Sequence, residues 1–353
     1  MTMASLSCRQ RSESRAERTA PEQPAPEQHS AVQPQPVPDQ TTTENMPPPD
    51  EQPAMPPPQN RDEAAQRMSD GIRAAQRGDI DEAITEFREA LELWPEFAPA
   101  HAQLGAVLAM SGDSQAAIVE LREAVRLDPN YVPARVNLAT ALLESNDTQA
   151  AIEHAEAAVS LAPEDPRARV TLGIALSTAG RDEAAIKHFS HILNSDPDNA
   201  AARYRLGAAL RASGRFEEAV DELTRVLAAH PGHVNARVEL AAAYADMGNF
   251  DKALAEAERA VKTDRFAADA HLVLAEVYLD LGNADAALES ARMAARLDLD
   301  NPRPHYLMGR AYVMQGAPAH AHEEYRYLRP RDLLLAGRLI GEIREVDSGD
   351  DSD

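Results

Sequence analysis

Between residues 64 and 335, small and apolar residues return with a period of 34. Alanine stands at Ala83, Ala117, Ala151, Ala185, Ala219, Ala253, Ala287 and Ala321, with no insertion or deletion between them. With that alanine at position 20 of a 34-residue frame, eight units follow: 64–97, 98–131, 132–165, 166–199, 200–233, 234–267, 268–301 and 302–335. Position 8 is always small, as in Gly71, Gly105 and Ala139, and position 7 is apolar in seven units, from Leu104 to Met308. Positions 4, 7, 8 and 11 share one face of a helix, and positions 20, 24 and 27 share one face of another. Position 15 is Gly or Asn in every unit, residues that readily take the left-handed conformation ending a helix. Position 32 is proline in five units, Pro95, Pro129, Pro163, Pro197 and Pro231, where it stops the second helix. Each unit is therefore predicted to be a helix, a tight turn and a second helix. The small residues at 8 and 20 let the pair approach closely. Such chains have no single central core, and each unit packs only on its neighbours.

This pattern closely resembles the tetratricopeptide repeat over about three quarters of the chain, through Gly or Ala at 8, Ala at 20, residues such as Phe87 and Phe189 at 24, and Pro at 32. The resemblance implies an all-α, right-handed superhelical solenoid of eight helix hairpins. Three departures stand out. Position 4, often Trp in the family, is Arg67, His101, Arg135, Arg169, Arg203, Arg237, His271 and His305. These side chains are expected to lay their stems over apolar neighbours and to pair with acids of adjacent repeats. Arg265 and Leu299 replace the expected proline, and Asp70 occupies the apolar position 7 of the first unit. The last unit meets its proline early, at Pro330, so its second helix should be short. Arg331–Ile343 then reads as an added amphipathic helix capping the array.

Composition adds the ends. Thirteen of the 25 prolines precede residue 60, among many Gln, Glu and Ser. Residues 1–60 should therefore be a disordered tail or tether, with folded structure starting near Arg61. Residues 344–353 are short and acidic and should be loose. The net charge of −23 disfavours nucleic acid and anionic membrane surfaces. No run approaches the ~20 apolar residues of a spanning helix, so the default location is the cytoplasm. Met1–Cys8 resembles the cleaved end of a bacterial lipoprotein signal, but is too short and lacks a basic start. A periplasmic protein anchored through Cys8 is the alternative, if translation begins upstream.

In the family, stacked first helices line a concave groove that holds a partner segment, through positions near 2, 5, 6, 9, 12 and 13. In repeats 1–4 the resemblance places Met68, Ile72, Val136, Thr140, Val170 and Ile174 there. That nearly uncharged surface suits an amphipathic helix or an extended apolar segment; alternatively, position 5 is core. In repeats 5–8 it places Tyr204, Val238, Leu272 and Tyr306 at position 5, with Arg205, Arg211, Glu239, Asp246, Asp269, Glu276, Asp280, Arg303 and Arg310 around them. Acids in a concavity focus negative potential, so this half should receive a basic segment; alternatively, its charges pair with one another. Arg9, Arg11, Arg15 and Arg18 are one candidate ligand within the chain. The family's chaperone-tail clamp needs lysines that no first helix supplies. His188 with His191, and His320 with His322, are too few for a metal and read as surface histidines. No phosphate loop, nucleophile elbow or zinc-type cysteine set is present. The expectation is a non-catalytic scaffold or adaptor without cofactor or metal, which binds protein segments. The alternative is an accessory subunit of an envelope assembly complex for secretion, pilus or polysaccharide.

Overall fold

A computed structural model of the chain describes residues 56–349. Cys8, the arginines from Arg9 to Arg18, most of the expected tail and residues 350–353 lie outside them. The described residues form seventeen helices and no strand. The first helices of the repeats are α1 (Pro58–Arg77), α3 (Ala98–Met110), α5 (Val132–Glu144), α7 (Pro166–Thr178), α9 (Ala200–Ala212), α11 (Val234–Asp246), α13 (Ala268–Asp280) and α15 (Arg303–Met314). The second helices are α2 (Ile80–Leu93), α4 (Ser114–Leu127), α6 (Thr148–Leu161), α8 (Asp182–Ser195), α10 (Phe216–Ala229), α12 (Phe250–Thr263), α14 (Ala284–Leu297) and α16 (Pro318–Leu328). A last helix, α17 (Leu333–Gly349), packs on both α15 and α16. None of these helices is long and apolar enough to cross a membrane. Residues 56–349 form a solenoid of helix hairpins.

The turn within each hairpin is set by position 15, where Asn146 holds φ 61° and is the only described non-glycine residue with positive φ. Closure is by backbone: in repeat 2, Gly112 N–H donates to Ala109 O and Asp113 N–H to Leu108 O, both at 3.0 Å. Asp113 then caps α4 by accepting from Ala116 N–H at 3.1 Å, satisfying one of the donors a helix start leaves open.

Position 8 packs against position 24 of its own repeat. A Cβ added at Gly71 would lie 2.7 Å from the Phe87 ring, and at Gly173 2.6 Å from the Phe189 ring. At Gly105 and Gly207 it would meet Leu121 and Leu223, at 2.6 and 2.7 Å. Where position 8 is alanine instead, position 24 is also alanine: Ala139 with Ala155, Ala241 with Ala257, Ala275 with Ala291. All six are buried. The hairpins thus conserve volume, as tight interiors require.

The position-4 column corrects an expectation in five repeats, where the acidic partner lies at position 23 of the same repeat; among the described residues, Arg169 alone reaches an acid of the preceding repeat, Glu164, at 3.7 Å. Arg67 meets Glu86 at 3.2 Å, His101 meets Glu120 at 2.6 Å, Arg203 meets Glu222 at 2.5 Å, Arg237 meets Glu256 at 2.6 Å and His305 meets Glu324 at 2.7 Å. The commoner contact to the neighbouring repeat is with a backbone carbonyl at position 32. Arg135 donates to Pro129 O at 2.7 Å, Arg237 to Pro231 O at 2.7 Å, and the His101 ring binds Pro95 O at 2.8 Å. The side chain at 4 thereby ties its own hairpin to the end of the preceding one. Position 23 lies one turn before the buried residue at 27, so its carboxylate is carried to the same edge.

Both ends depart from the frame. Helix α1 begins at Pro58, three residues before Arg61, and is twenty residues long. Asp70 remains partly exposed and pairs with Arg73. Among the described residues no repeat precedes it, whereas Leu104 at the same position of repeat 2 is buried. At the other end α17 runs to Gly349 and not to Ile343. Residues 344–349, expected to be loose, continue the helix. Its Leu339 takes over the packing against Gly309, where an added Cβ would be 2.4 Å away. Ala336, Leu339 and Ile343 bury against Ala321 and Leu328 of α16.

Candidate partner-binding groove

Two adjoining concavities lie along α9, α11, α13 and α15. The first, about 220 Å³, is lined by Tyr204, Arg211, Asn235, Val238, Glu239, Ala242, Asp269, Leu272, Val273, Glu276 and Arg303. The second, about 210 Å³, shares Arg211, Ala242, Val273 and Glu276 and adds Ala245, Asp246, Val277, Asp280, Tyr306, Leu307 and Arg310. Their walls come from first helices because the second helices pack outside them. Of the residues expected in this half, only Arg205 lines neither. It is exposed, with its guanidinium 5.6 Å from the Tyr204 ring.

Val238 and Leu272 are largely buried, at 8% and 3% exposure, and form the floor. Tyr204 and Tyr306 form the aromatic walls. Tyr204 packs 5.0 Å from the His233 ring. Its hydroxyl titrates above the usual range, first through burial and then through the nearby Glu239 carboxylate. Tyr306 donates to Glu342 of α17 at 2.8 Å. Burial, together with that hydrogen bond, pushes its hydroxyl up to about 12.

Most of the groove's charges are already paired. Arg211 bridges Glu239 at 2.8 Å and Asp246 at 3.0 Å. Burial opposes its charge, yet the two carboxylates outweigh that and hold its pKa above the usual value. Arg303 meets Glu276 at 2.6 Å, and Arg310 meets Glu342 at 3.4 Å. Two acids stand apart. Asp269 and Asp280 have no ion pair among the described residues, and both are exposed. The Asp280 carboxyl is held above the usual carboxylate range by burial, against the pull of Arg310 and with a contribution from Asp246.

The residues expected to form an apolar groove in repeats 1–4 are not gathered by either concavity. Val136 is 4% exposed and packs with Ala158 of its own hairpin and Ala168 of the next. It is core, because position 5 points between successive first helices. Met68, Ile72 and Ile174 are partly buried against the main core, and Val170 is partly buried. Thr140 is exposed, and its hydroxyl donates to the Val136 carbonyl at 3.0 Å. Sequence reasoning missed Asn235 and Val273, which sit at positions 2 and 6 of the frame and were open to it. It also missed Glu342, which has no place in the frame because the last repeat ends early at Pro330. The histidines differ in exposure: His320 is exposed, whereas His188 is half-buried.

Comparison with known proteins agrees with this architecture. Family models described as tetratricopeptide repeat match residues 70–132, 142–210, 183–226, 210–277 and 268–293. The chain belongs to the tetratricopeptide repeat family. Among solved structures it is similar to a tetratricopeptide repeat protein from Parabacteroides merdae, at 16% identity over 71% of this chain and 99% of that one, TM-score 0.61. It is also similar to yeast Tom70, at 16% identity over 82% and 66%, TM-score 0.56. A third is PilW, a widely conserved type IV pilus biogenesis factor, at 23% identity over 56% and 92%, TM-score 0.51. At these identities the likeness is one of fold. No curated protein sequence matches the chain.

Proposed function

We propose that the chain is a non-catalytic scaffold that holds a basic segment of a partner protein along the inner face of α9, α11, α13 and α15. The observation that carries this reading is the pair Asp269 and Asp280. Every other groove acid is in an ion pair with an arginine, so these two carry the negative charge that no ion pair takes up, one in each concavity. They stand near opposite ends of α13, eleven residues apart, which at 1.5 Å per residue is about 16 Å. An extended segment covers that distance in about five residues. The fitting ligand carries two cationic side chains at that spacing, with apolar groups between them for the Val238 and Leu272 floor.

The test is fluorescence anisotropy of the full chain with synthetic peptides that carry two arginines at varied spacing. Peptides with the arginines about five residues apart should bind best, and binding should weaken with salt. Asp269→Asn with Asp280→Asn should weaken it by about tenfold, at roughly 0.7 kcal/mol for each partly exposed ion pair. Equal binding of acidic peptides, or an unchanged affinity in the double variant, would refute the proposal.

A further inference from the structure

The pairing of positions 4 and 23 is missing in repeats 3, 4 and 7: in repeat 7 Ser290 stands at position 23 and the His271 ring binds the Arg265 carbonyl, whereas repeats 3 and 4 fail consecutively and in the same way. In repeats 3 and 4, position 23 is histidine: His154 on α6 and His188 on α8. Their position-4 neighbours are Arg135 and Arg169. Both histidines are half-buried, and the Nδ1 atom of each is buried with no hydrogen-bond partner among the described residues. Arg135 donates to Pro129 O but has no carboxylate partner among them. Arg169 donates to Pro163 O at 2.5 Å and reaches Glu164 only at 3.7 Å.

We propose that repeats 3 and 4 are an acid-sensitive segment of the solenoid, in which protonation of His154 and His188 sets two imidazolium ions against Arg135 and Arg169 and loosens the α5–α6 and α7–α8 hairpins. The charges acting on His154 are Arg135 of α5, Glu153 of its own helix and Arg122 of α4. Those acting on His188 are Arg169 of α7, His191 of its own helix and Glu156 of α6. Around His154 two arginines face one acid; around His188, Arg169 faces Glu156, and His191 meets Glu164 at 3.2 Å. Burial first, and the arginines next, hold both imidazoles below the usual histidine range.

For a base depressed in the folded state, the unfolded chain takes up protons first as pH falls. The stability these residues contribute is complete above the ordinary histidine value and is lost as the pH falls through the depressed one. His101 runs the other way. Burial opposes its protonation, but its hydrogen bonds to Glu120 and to the Pro95 carbonyl outweigh that and raise its pKa. Its contribution is present at low pH and is lost as pH rises through the raised value. Acidification therefore firms repeat 2 while it loosens repeats 3 and 4. Each repeat leans only on its neighbours, so opening there also removes the support of α9, the first helix of the groove.

Hydrogen exchange on the full chain at about pH 7.5 and about pH 5.5, corrected for intrinsic rates, reads this directly. On acidification, protection in α5–α8 should fall by roughly tenfold relative to α1–α4. His154→Glu with His188→Glu supplies the carboxylate that Arg203 and Arg237 have, and should keep that protection at both pH values. His154→Gln with His188→Gln removes the titration without adding a carboxylate. Even if it lowers protection at both pH values, it should abolish the difference between them. An acid-dependent loss that persists in the glutamine variant, or none in the parent chain, would overturn the proposal.

Discussion

At Gly207 a methyl group would sit 2.7 Å from Leu223, whereas Ala241 in the next repeat pairs by position with Ala257. The two arrangements fill the same gap in different ways, and each tolerates only its own partner. Gly207→Ala should therefore cost about 1–3 kcal/mol through overpacking, even though alanine is the better helix former by ~1 kcal/mol. Leu223→Ala alone should cost about 2–5 kcal/mol. The double variant recreates the small-on-small hairpin of repeats 3, 6 and 7. It should be less destabilised than the sum of the single variants by ~1 kcal/mol or more, as read from a double-mutant cycle in denaturant unfolding. The small residue at position 8 was legible from its recurrence. Its trade with position 24, and that of position 4 with position 23, became legible only once the hairpin showed which columns touch. His188 shows the same limit: from the sequence it was one histidine beside another, and only the hairpin places it in the half-buried column that faces position 4.

Among elements, the loops between repeats differ where proline is missing. The residues before Arg265 and Leu299 hold φ −138°, ψ 104° and φ −133°, ψ 95°. Asp128, which precedes Pro129, holds φ −132°, ψ 93°. The backbone is already extended as a following proline demands, and Leu299 is 75% exposed. Leu299→Pro should raise stability by about 0.4–1 kcal/mol, acting on the unfolded chain, with a matching rise in thermal midpoint. At the C-terminal end, Glu342 of α17 closes the groove by taking both Tyr306 and Arg310. Glu342→Gln removes the anion that opposes phenolate formation, so Tyr306 should titrate below its present value of about 12. An ultraviolet absorbance titration of the variant against the parent chain reads that shift. An added helix after Pro330 was legible from its amphipathic pattern. Its extension to Gly349 and its hold on the groove were not, because they depend on which neighbours it meets.

Over the whole array, the buried side chains change size along its length. Helix α8 contributes Ala185, Ile186, Phe189 and Ile192, and α10 contributes Ala219, Leu223 and Val226. Helix α12 contributes only Ala253, Ala257 and Ala260. One core cluster runs from α1 to α11, and separate clusters then join α11 to α13 and α13 to α15. Solenoid stability is a sum of repeat and interface terms, and alanine contributes the least apolar area to both. At neutral pH, α12 should show the weakest hydrogen-exchange protection of the internal helices. Equal protection in α10 and α12 would contradict that. The groove spans this seam, since α9 and α11 lie on one side of it and α13 and α15 on the other. A ligand that bridges them should raise α12 protection, through linkage between binding and opening.

The repeat, its two helices, their turns and the unit count are properties of the sequence itself. They follow from a 34-residue period and from local chemistry, such as glycine at a left-handed turn, that needs no distant partner. Which groove charges are free is a different kind of fact. Glu239, Asp246, Asp269, Glu276 and Asp280 look alike along the chain. Arg211 and Arg303 take Glu239, Asp246 and Glu276 into ion pairs and leave Asp269 and Asp280 outside them. Likewise Val136 and Val170 occupy the same frame position, yet one is core and the other keeps some surface. Periodicity assigns a direction to a side chain. Only the packed neighbours determine whether solvent, a carboxylate or another helix is waiting there, because Coulomb energy and burial both depend on distances between residues far apart in sequence.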